Sequence, residues 1–408
     1  MEDRYEDLFQ DAFIFRAIGQ ADYYDEAYPM LVKNRNKKIT RYVKYVLNFY
    51  QRFRGKKEKK GNLLFLEHRF DRIMRDLSDD YNIFLMHDSI NIYKSYNQKK
   101  YYQFFYRTWQ KLLDKSFFSH DMHYALIARE QIKKFLLNNA INIVFVGNDK
   151  RFMEKLLLSA AKSADIPCIV IQHGIYTDEW SFEKLRTADT ADNFWSWSQY
   201  LKDCYIKRFK KDPEKVRVIG YPFELLNEEF RGDHAVLFIG NNYKSTNSNE
   251  GKKYVEIAKS VLDICNELHI KFNYRAHPTE NIDESYGAIR DHVTNGNTLL
   301  EDLKSNSIII GDVSSVMIEA SLCKRKVVQI VWSIRSKDAA NDPMYSFTIK
   351  TSDSRDMIKK AIQECQMKDE INQIDSYYMY RDNNFSSNIK SYVAEFINKS
   401  KDTLYNKQ

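Results

Sequence analysis

The sequence has few of the features that mark secreted, zinc-binding or membrane-spanning proteins. Its 408 residues include only five cysteines, which are scattered and form no Cys-x-x-Cys pair; this argues against a structural zinc site and a disulfide framework. The mean hydropathy is −0.59, and no apolar run approaches the roughly 18–20 residues of a membrane span. The N-terminus, MEDRYEDLFQDAF, is acidic and lacks the basic start and apolar core of a signal peptide. We therefore expect a cytoplasmic protein with reduced cysteines.

The positive charge is concentrated in one segment near the N-terminus. Residues 33–60 contain twelve Lys or Arg and one acid, whereas the whole chain carries a net charge of only +7, so the remainder is net negative. Apolar residues between Ile39 and Phe53 recur at helical spacing, with basic residues on the other side. Such a helix can lie on the anionic inner face of the cell membrane, or can pack its apolar face on its own protein. We do not expect nucleic-acid binding, because the aromatic residues belong to that apolar face rather than to a basic groove.

Short apolar runs alternate with helical segments through most of the chain. Ile141–Val146, Cys168–Ile171 and Ala235–Ile239 are examples of such runs. Strand–helix alternation of this kind predicts parallel sheets covered by helices on both faces, and therefore an α/β fold. The chain length allows two or three domains. We predict a basic helical N-terminal extension at 1–60, a Rossmann-like domain at 61–223, a linker at 224–234, a second Rossmann-like domain at 235–385, and a closing helix with a tail at 386–408.

Polar residues follow two apolar runs in the second half of the chain, Phe272–Tyr274 and Ile308–Ile310. Ligands of open α/β sheets bind beyond the carboxyl ends of the strands, so both positions are candidates for a binding site. The second run also opens a predicted helix at roughly 313–323, and the N-terminus of a helix favours an anion such as a phosphate. The candidate binding residues are Arg275, His277, Pro278, Ser314, Ser315 and Glu319, with Gly240 and Asn241 after the preceding strand.

Each of these motifs also has a purely structural interpretation. Asp312 could serve only as a helix N-cap, and the His-Pro pair could form only a strand-ending turn. The occurrence of both motifs at the ends of successive strands favours a nucleotide site. Glu319 lies one helical turn after Ser315 on the same face, where it could reach the sugar hydroxyls of a nucleotide.

Four short motifs follow one another in order at predicted strand ends. They are Gln172-His173-Gly174, Gly220-Tyr221-Pro222, Arg275-Ala276-His277-Pro278, and Ser314-Ser315 with Glu319-Ala320. In this order the chain resembles bacterial capsule and teichoic-acid transferases, which include CDP-glycerol glycerophosphotransferases, polysialyltransferases and capsule Kdo transferases. The likeness covers roughly residues 140–332. It implies the GT-B architecture, in which two Rossmann-like domains face a cleft.

The resemblance also implies roles for the matched residues. The histidine of the His-Pro motif, His277, would contact the donor phosphate, and Ser314 with Ser315 would hold the phosphate or the nucleotide. His173 would be the base that activates the acceptor, as in the glycerophosphotransferase branch, and histidine suits proton transfer near pH 7. Polysialyltransferases use a carboxylate instead, for which Asp178 is a nearby candidate. Gln172 and Gly174 would line the acceptor side; the alternative for His173 is a core histidine with a structural hydrogen bond.

The resemblance implies an inverting transferase that uses a nucleotide-activated donor to build a capsule or another bacterial surface polysaccharide. A CMP-sugar or a CDP-polyol is the favoured donor, and a saccharide or a lipid-linked molecule is the expected acceptor. The sequence contains no Asp-x-Asp, the usual carboxylate pair for a bridging Mg²⁺. We therefore expect a metal-independent enzyme without a cofactor, in which a helix N-terminus, His277 and Arg275 stabilise the departing phosphate.

Three other functions stay open at this point. The donor could be a UDP-sugar. The protein could also be a non-hydrolysing UDP-sugar 2-epimerase, which shares the two-domain architecture but uses several carboxylates and histidines in its cleft, of which this chain offers few. A non-catalytic alternative is an inert GT-B subunit that scaffolds a membrane complex.

Overall fold

A computed structural model describes most of the chain after the N-terminal segment. The basic segment 33–60, except for its last two residues, lies outside the described residues, as do His173, Gly174 and Asp178. The described residues are 59–66, 70–87, 102–105, 107–119, 121–147, 152–172, 191–226, 230, 234–241, 249–278, 280–294, 296–368, 372–379, 382 and 384–405.

The chain divides into two compact units, each built around one parallel sheet. The N-terminal unit contains the described residues up to 197, 201–223 and 382–405, and the C-terminal unit contains 198–200 and 224–381. The strands of the first sheet are β1 (Asn62–Leu66), β2 (Asn82–His87), β3 (Tyr102–Phe105), β4 (Ile141–Val146), β5 (Cys168–Ile171), β6 (Asn193–Ser196) and β7 (Val216–Val218). Those of the second are β8 (Ala235–Ile239), β9 (Lys271–Arg275), β10 (Ile308–Gly311), β11 (Lys326–Val331) and β12 (Ile349–Ser352).

Among the described residues, helices lie between many of the successive strands in both units. The described α-helices are α1 (Asp71–Leu77), α2 (Arg107–Ser119), α3 (His123–Asn138), α4 (Phe152–Lys162), α5 (Gln199–Phe209), α6 (Asn249–Glu267), α7 (Leu299–Ser305), α8 (Ser315–Leu322), α9 (Ile334–Asn341), α10 (Arg355–Met367) and α11 (Phe385–Tyr405). A 3₁₀ segment, Glu284–His292, follows β9. Among the described residues, no helix combines the length and the apolar content that crossing a membrane requires.

The spatial order of the strands is β3-β2-β1-β4-β5-β6-β7 in the first sheet and β12-β11-β10-β8-β9 in the second. All the pairings between these strands are parallel. The first order is that of a Rossmann fold, and the second is that of a flavodoxin-like sheet. The α/β class with two parallel-sheet domains is therefore confirmed.

Central strands are apolar along their whole length because both of their faces are buried. In β1, Leu63 and Phe65 contribute to one core cluster, whereas Leu64 and Leu66 contribute to the cluster on the opposite face. A strand that is buried on both sides has no solvent face, so its sequence shows a continuous apolar run instead of alternation. This is why the sequence predicts these strands correctly.

The last helix, α11, packs on the N-terminal sheet. Phe385, Ile389, Val393 and Ile397 follow one another at four-residue spacing, are at most 4% exposed, and belong to the same cluster as β1 residues of the N-terminal unit. Burial of each such side chain contributes about 1.5–3 kcal/mol. The chain therefore returns to the first unit because α11 buries this apolar stripe there.

The structure corrects two of the predicted elements. The tyrosine- and phenylalanine-rich sequence between β2 and β4 predicts a helical region of about fifty residues, and the structure places the strand β3 in it besides the helices α2 and α3. The helix predicted at roughly 313–323 begins at Ser315 and ends at Leu322.

Candidate functional site

The strand order identifies the position in the C-terminal sheet at which a ligand would bind. The chain leaves β8 for β9 on one side and then continues to β10 on the other side of β8. In open sheets of this topology, ligands bind at this switch point, outside the carboxyl ends of the two strands concerned. Here the residues that follow these ends are Gly240 and Asn241 after β8, and Asp312 and Val313 after β10. We call the end of the sheet at which its parallel strands have their carboxyl ends the carboxyl edge.

A buried tyrosine from α6 connects the two strand ends at the switch point. The Tyr254 hydroxyl donates a hydrogen bond to the Ile239 carbonyl at 2.6 Å and accepts one from the Asp312 N–H at 3.2 Å. Tyr254 is only 2% exposed, so it fixes the floor of the site rather than offering a group to a ligand. Sequence analysis missed Tyr254, because a tyrosine on an apolar helix face has the pattern of an ordinary core residue.

The helix that follows β10 has a polar N-terminus at the same edge. Ser314 is the N-cap of α8, and its Oγ accepts a hydrogen bond from the Val316 N–H at 3.2 Å. A serine hydroxyl that accepts one bond can still donate another. Ser315 and Glu319 are both half-buried, at the first turn and one turn further along. The alternative that Asp312 is the N-cap is wrong, because Ser314 occupies that position and Asp312 is buried below it.

A hydrogen-bonded cluster around the Glu280 carboxylate holds the turn after β9. One carboxylate oxygen accepts from the hydroxyls of Tyr274 and Tyr286, each at 2.7 Å, and the other accepts from the His277 N–H at 2.9 Å. The Glu280 N–H donates in return to the His277 carbonyl at 2.8 Å. Burial, and after it the Glu280 carboxylate, raises the pKa of both tyrosines. Their hydroxyls therefore stay protonated and remain hydrogen-bond donors, while the His277 side chain is half-buried.

The glycine at the end of β8 brings that strand end against the same turn. The Gly240 N–H donates to the Arg275 carbonyl at 2.8 Å. A Cβ at this position would lie 2.9 Å from the His277 nitrogen and 3.0 Å from the Arg275 oxygen, closer than side chains tolerate. The absence of a side chain thus allows β8 and the His277 turn to meet, with Asn241, which is 7% exposed, directly after the glycine.

The guanidinium of Arg275 is committed to an ion pair within its own unit. It binds the carboxylate of Asp302, which is only 1% exposed on its side chain, while Arg275 is 26% exposed. The same carboxylate accepts hydrogen bonds from the Thr294 hydroxyl at 2.9 Å and from the Asn297 side-chain amide at 3.0 Å. The structure therefore gives Arg275 a stabilising partner that sequence analysis did not identify. Pro278 is exposed in the turn next to His277.

In the N-terminal unit, the structure describes the residue that precedes His173. Gln172 is fully buried, and its amide oxygen accepts hydrogen bonds from the Ser196 hydroxyl at 3.2 Å and the Trp197 N–H at 3.0 Å. Its side chain therefore ties the end of β5 to the end of β6. His173, Gly174 and Asp178 follow it in the sequence and lie outside the described residues.

The polar groups at the carboxyl edge of the C-terminal sheet suit a phosphate. They combine the N-terminus of α8, the hydroxyls of Ser314 and Ser315, and His277 on the turn after β9, the strand next to β8. N–H groups and hydroxyls aimed at one place can bind an anion without a change in their own charge. Within the described part of the chain, no group of three or more His, Cys, Asp or Glu residues is arranged to hold a metal ion.

Comparison with solved structures identifies the fold. The chain is similar to a candidate UDP-N-acetylglucosamine 2-epimerase from Listeria monocytogenes, with a TM-score of 0.58 and 11% identity over 84% of this chain and 98% of that one. It is also similar to UDP-GlcNAc 2-epimerases from Neisseria meningitidis, bound to UDP-GlcNAc, and from Methanocaldococcus jannaschii, in complex with UDP-GlcNAc and UDP. The Neisseria meningitidis structure has a TM-score of 0.54 and 13% identity, covering 82% of this chain and 100% of that one. The Methanocaldococcus jannaschii structure has a TM-score of 0.55 and 12% identity, covering 82% of this chain and 99% of that one.

Identities of this size show the fold alone, which is the GT-B fold of two parallel-sheet α/β domains. No protein-family model matches the sequence, and the search of curated proteins finds no match. The likeness to capsule and teichoic-acid transferases therefore stays a prediction from the sequence motifs.

Proposed function

We propose that this protein is a glycosyltransferase that binds a UDP-sugar at the carboxyl edge of its C-terminal sheet and transfers the sugar to an acceptor hydroxyl. The observation that carries the proposal is the presence of three elements at the same end of this sheet: the β8–β10 switch point, the serine-bearing N-terminus of α8 after β10, and the turn with His277 after β9. Sheets of this topology bind ligands at the switch point, the N-terminus of α8 favours an anion, and a nucleoside diphosphate sugar supplies a diphosphate.

Uridine replaces cytidine as the favoured base for one reason. Two of the similar GT-B structures contain UDP-GlcNAc, whereas CMP-sugars and CDP-polyols are favoured only by a resemblance that depends on short sequence motifs. Those motifs still support the second half of the reaction: an acceptor that belongs to a bacterial surface polymer, presented as a saccharide or on a lipid.

The chemistry divides between the two units. In the C-terminal unit, the diphosphate gains negative charge as it leaves the sugar, and the α8 N-terminus, Ser314, Ser315 and His277 stabilise that charge. Arg275 contributes less to this than the sequence suggests, because its guanidinium is paired with Asp302. Glu319, one turn into α8, binds hydroxyls of the ribose in this proposal. In the N-terminal unit, His173 takes the proton from the acceptor hydroxyl.

Nucleotide binding tests this proposal directly. UDP at 100 times its Kd should stabilise the protein by about 2.7 kcal/mol in a thermal unfolding experiment, and CDP or CMP should stabilise it less. His277→Ala should weaken UDP binding by about 10- to 150-fold, because a hydrogen bond to a charged group is worth about 1.5–3 kcal/mol. His269→Asn is the matched control, since His269 lies exposed in the turn before β9, at the opposite edge of the sheet. Absence of stabilisation by any of these nucleotides at millimolar concentration would refute the site.

A second candidate function is 2-epimerisation of a UDP-sugar. The similar structures with a TM-score above 0.5 named above are described as UDP-GlcNAc 2-epimerases, and this observation favours the candidate. Epimerisation differs from transfer in one measurable way, because it needs no acceptor and releases no UDP.

The two reactions are separated by incubating the protein with UDP-GlcNAc alone and following the nucleotide sugar by proton NMR. A transferase should leave it unchanged until a hydroxyl acceptor is added, when UDP appears. Conversion to the C2 epimer without an acceptor would reject the transferase and support the epimerase. UDP-glucose, which has a hydroxyl at C2, serves as a second donor in the same assay.

A further inference from the structure

The Glu280 carboxylate accepts the hydrogen bonds that hold the turn containing His277. It lies three residues after His277 and accepts three hydrogen bonds, two from tyrosine hydroxyls on one oxygen and one from the His277 N–H on the other. The second oxygen also faces Gly240 at the end of β8. Through this one side chain, the 3₁₀ segment, β9 and the end of β8 are all connected to the position of His277.

A carboxylate suits this place better than any neutral side chain. An ionised carboxylate only accepts hydrogen bonds, with about four lone-pair directions on two oxygens. All three partners are donors, since the raised pKa values of Tyr274 and Tyr286 keep their hydroxyls protonated. A glutamine would place an N–H₂ group against one of these donors, so one bond would become a repulsive contact.

We infer that Glu280 is a positioning residue, which sets the place of His277 at the carboxyl edge and thereby the affinity for the nucleotide phosphate. The inference rests on the proposed function, because the phosphate belongs to the proposed UDP-sugar. Glu280 itself acts through the backbone of His277 and the adjoining Gly240, so it need not touch the ligand.

A double-mutant cycle separates positioning from a general loss of structure. Glu280→Gln should raise the Kd for UDP about tenfold in the otherwise unchanged protein, and less than about twofold when His277→Ala is already present, since coupled residues are not additive. Tyr286→Phe removes one of the three hydrogen bonds without changing the charge and should have an intermediate effect. Glu284→Gln, an exposed glutamate in the adjoining 3₁₀ segment, is the matched control. Equal losses from Glu280→Gln in both backgrounds would overturn the inference.

A measurement on the protein without nucleotide separates this inference from the proposed function. The imidazole ¹³C–¹H resonance of His277, identified by its absence in His277→Ala, should shift in Glu280→Gln and stay in place in Glu284→Gln. An unchanged resonance in Glu280→Gln overturns the positioning role, whatever the protein binds. A shifted resonance in a protein that binds no nucleotide supports the link between Glu280 and His277, and rejects the UDP-sugar site instead.

Discussion

Arg275→Met should lower the free energy of unfolding by about 3 kcal/mol, because it leaves the buried Asp302 carboxylate without its cation. Asp302 is 1% exposed, and its remaining described partners, Thr294 and Asn297, donate only neutral hydrogen bonds. Methionine keeps much of the length of the arginine side chain, so the effect reports on the charge rather than on a cavity. Urea unfolding curves followed by circular dichroism measure it.

Two further variants make this expectation specific. Arg290→Met, an exposed arginine of the same unit, should change stability by less than about 0.5 kcal/mol. Adding Asp302→Asn to Arg275→Met should recover part of the loss, since the unpaired buried charge is then gone. If Arg275→Met keeps full stability but loses UDP binding, the guanidinium serves the ligand and the structural interpretation of the ion pair is wrong.

Both strands that sequence analysis failed to find lie at the edges of the two sheets. β3 and β12 are the terminal strands in the order of their sheets. Ile349–Ser352 has alternating exposed and buried positions and only one strongly apolar residue, whereas central strands such as Ala235–Ile239 are buried throughout. An apolar run signals burial on two faces, so an edge strand, which gains much of its stability from one neighbour, gives a weaker pattern.

The candidate site could be predicted as a set of positions but not as a set of interactions. His277 and Ser314 are predicted from their positions after strands and from the short motifs that contain them. The partner of Arg275 is Asp302, and Tyr254 is the residue that joins the ends of β8 and β10. These pairs are separated by 27 and by up to 58 residues in the chain, and a single sequence contains no record of such long-range contacts. Glu280 is easier to predict as part of the site, since it lies only three residues after His277 in the same turn.

The residue before the proposed base is anchored by hydrogen bonds. Gln172 precedes His173 directly, and its buried amide oxygen accepts two hydrogen bonds from the end of β6. A side chain that is fully buried and bonded to a neighbouring strand fixes the backbone at the residue before the base. A general base needs this kind of support, because proton transfer depends on a fixed distance to the acceptor hydroxyl.

His173→Ala should lower the rate of sugar transfer by about 10²–10⁴-fold, the usual cost of losing a general base, and should leave the Kd for UDP unchanged. The groups proposed to bind the nucleotide belong to the C-terminal unit, so loss of rate with retained binding is the expected signature of a residue that acts on the acceptor. His123→Ala, an exposed histidine at the start of α3 in the same unit as Gln172, is the matched control. Transfer at a near-normal rate in His173→Ala would move the role of base to a carboxylate, and Asp178→Asn would then be compared with Glu179→Gln at the next position in the sequence.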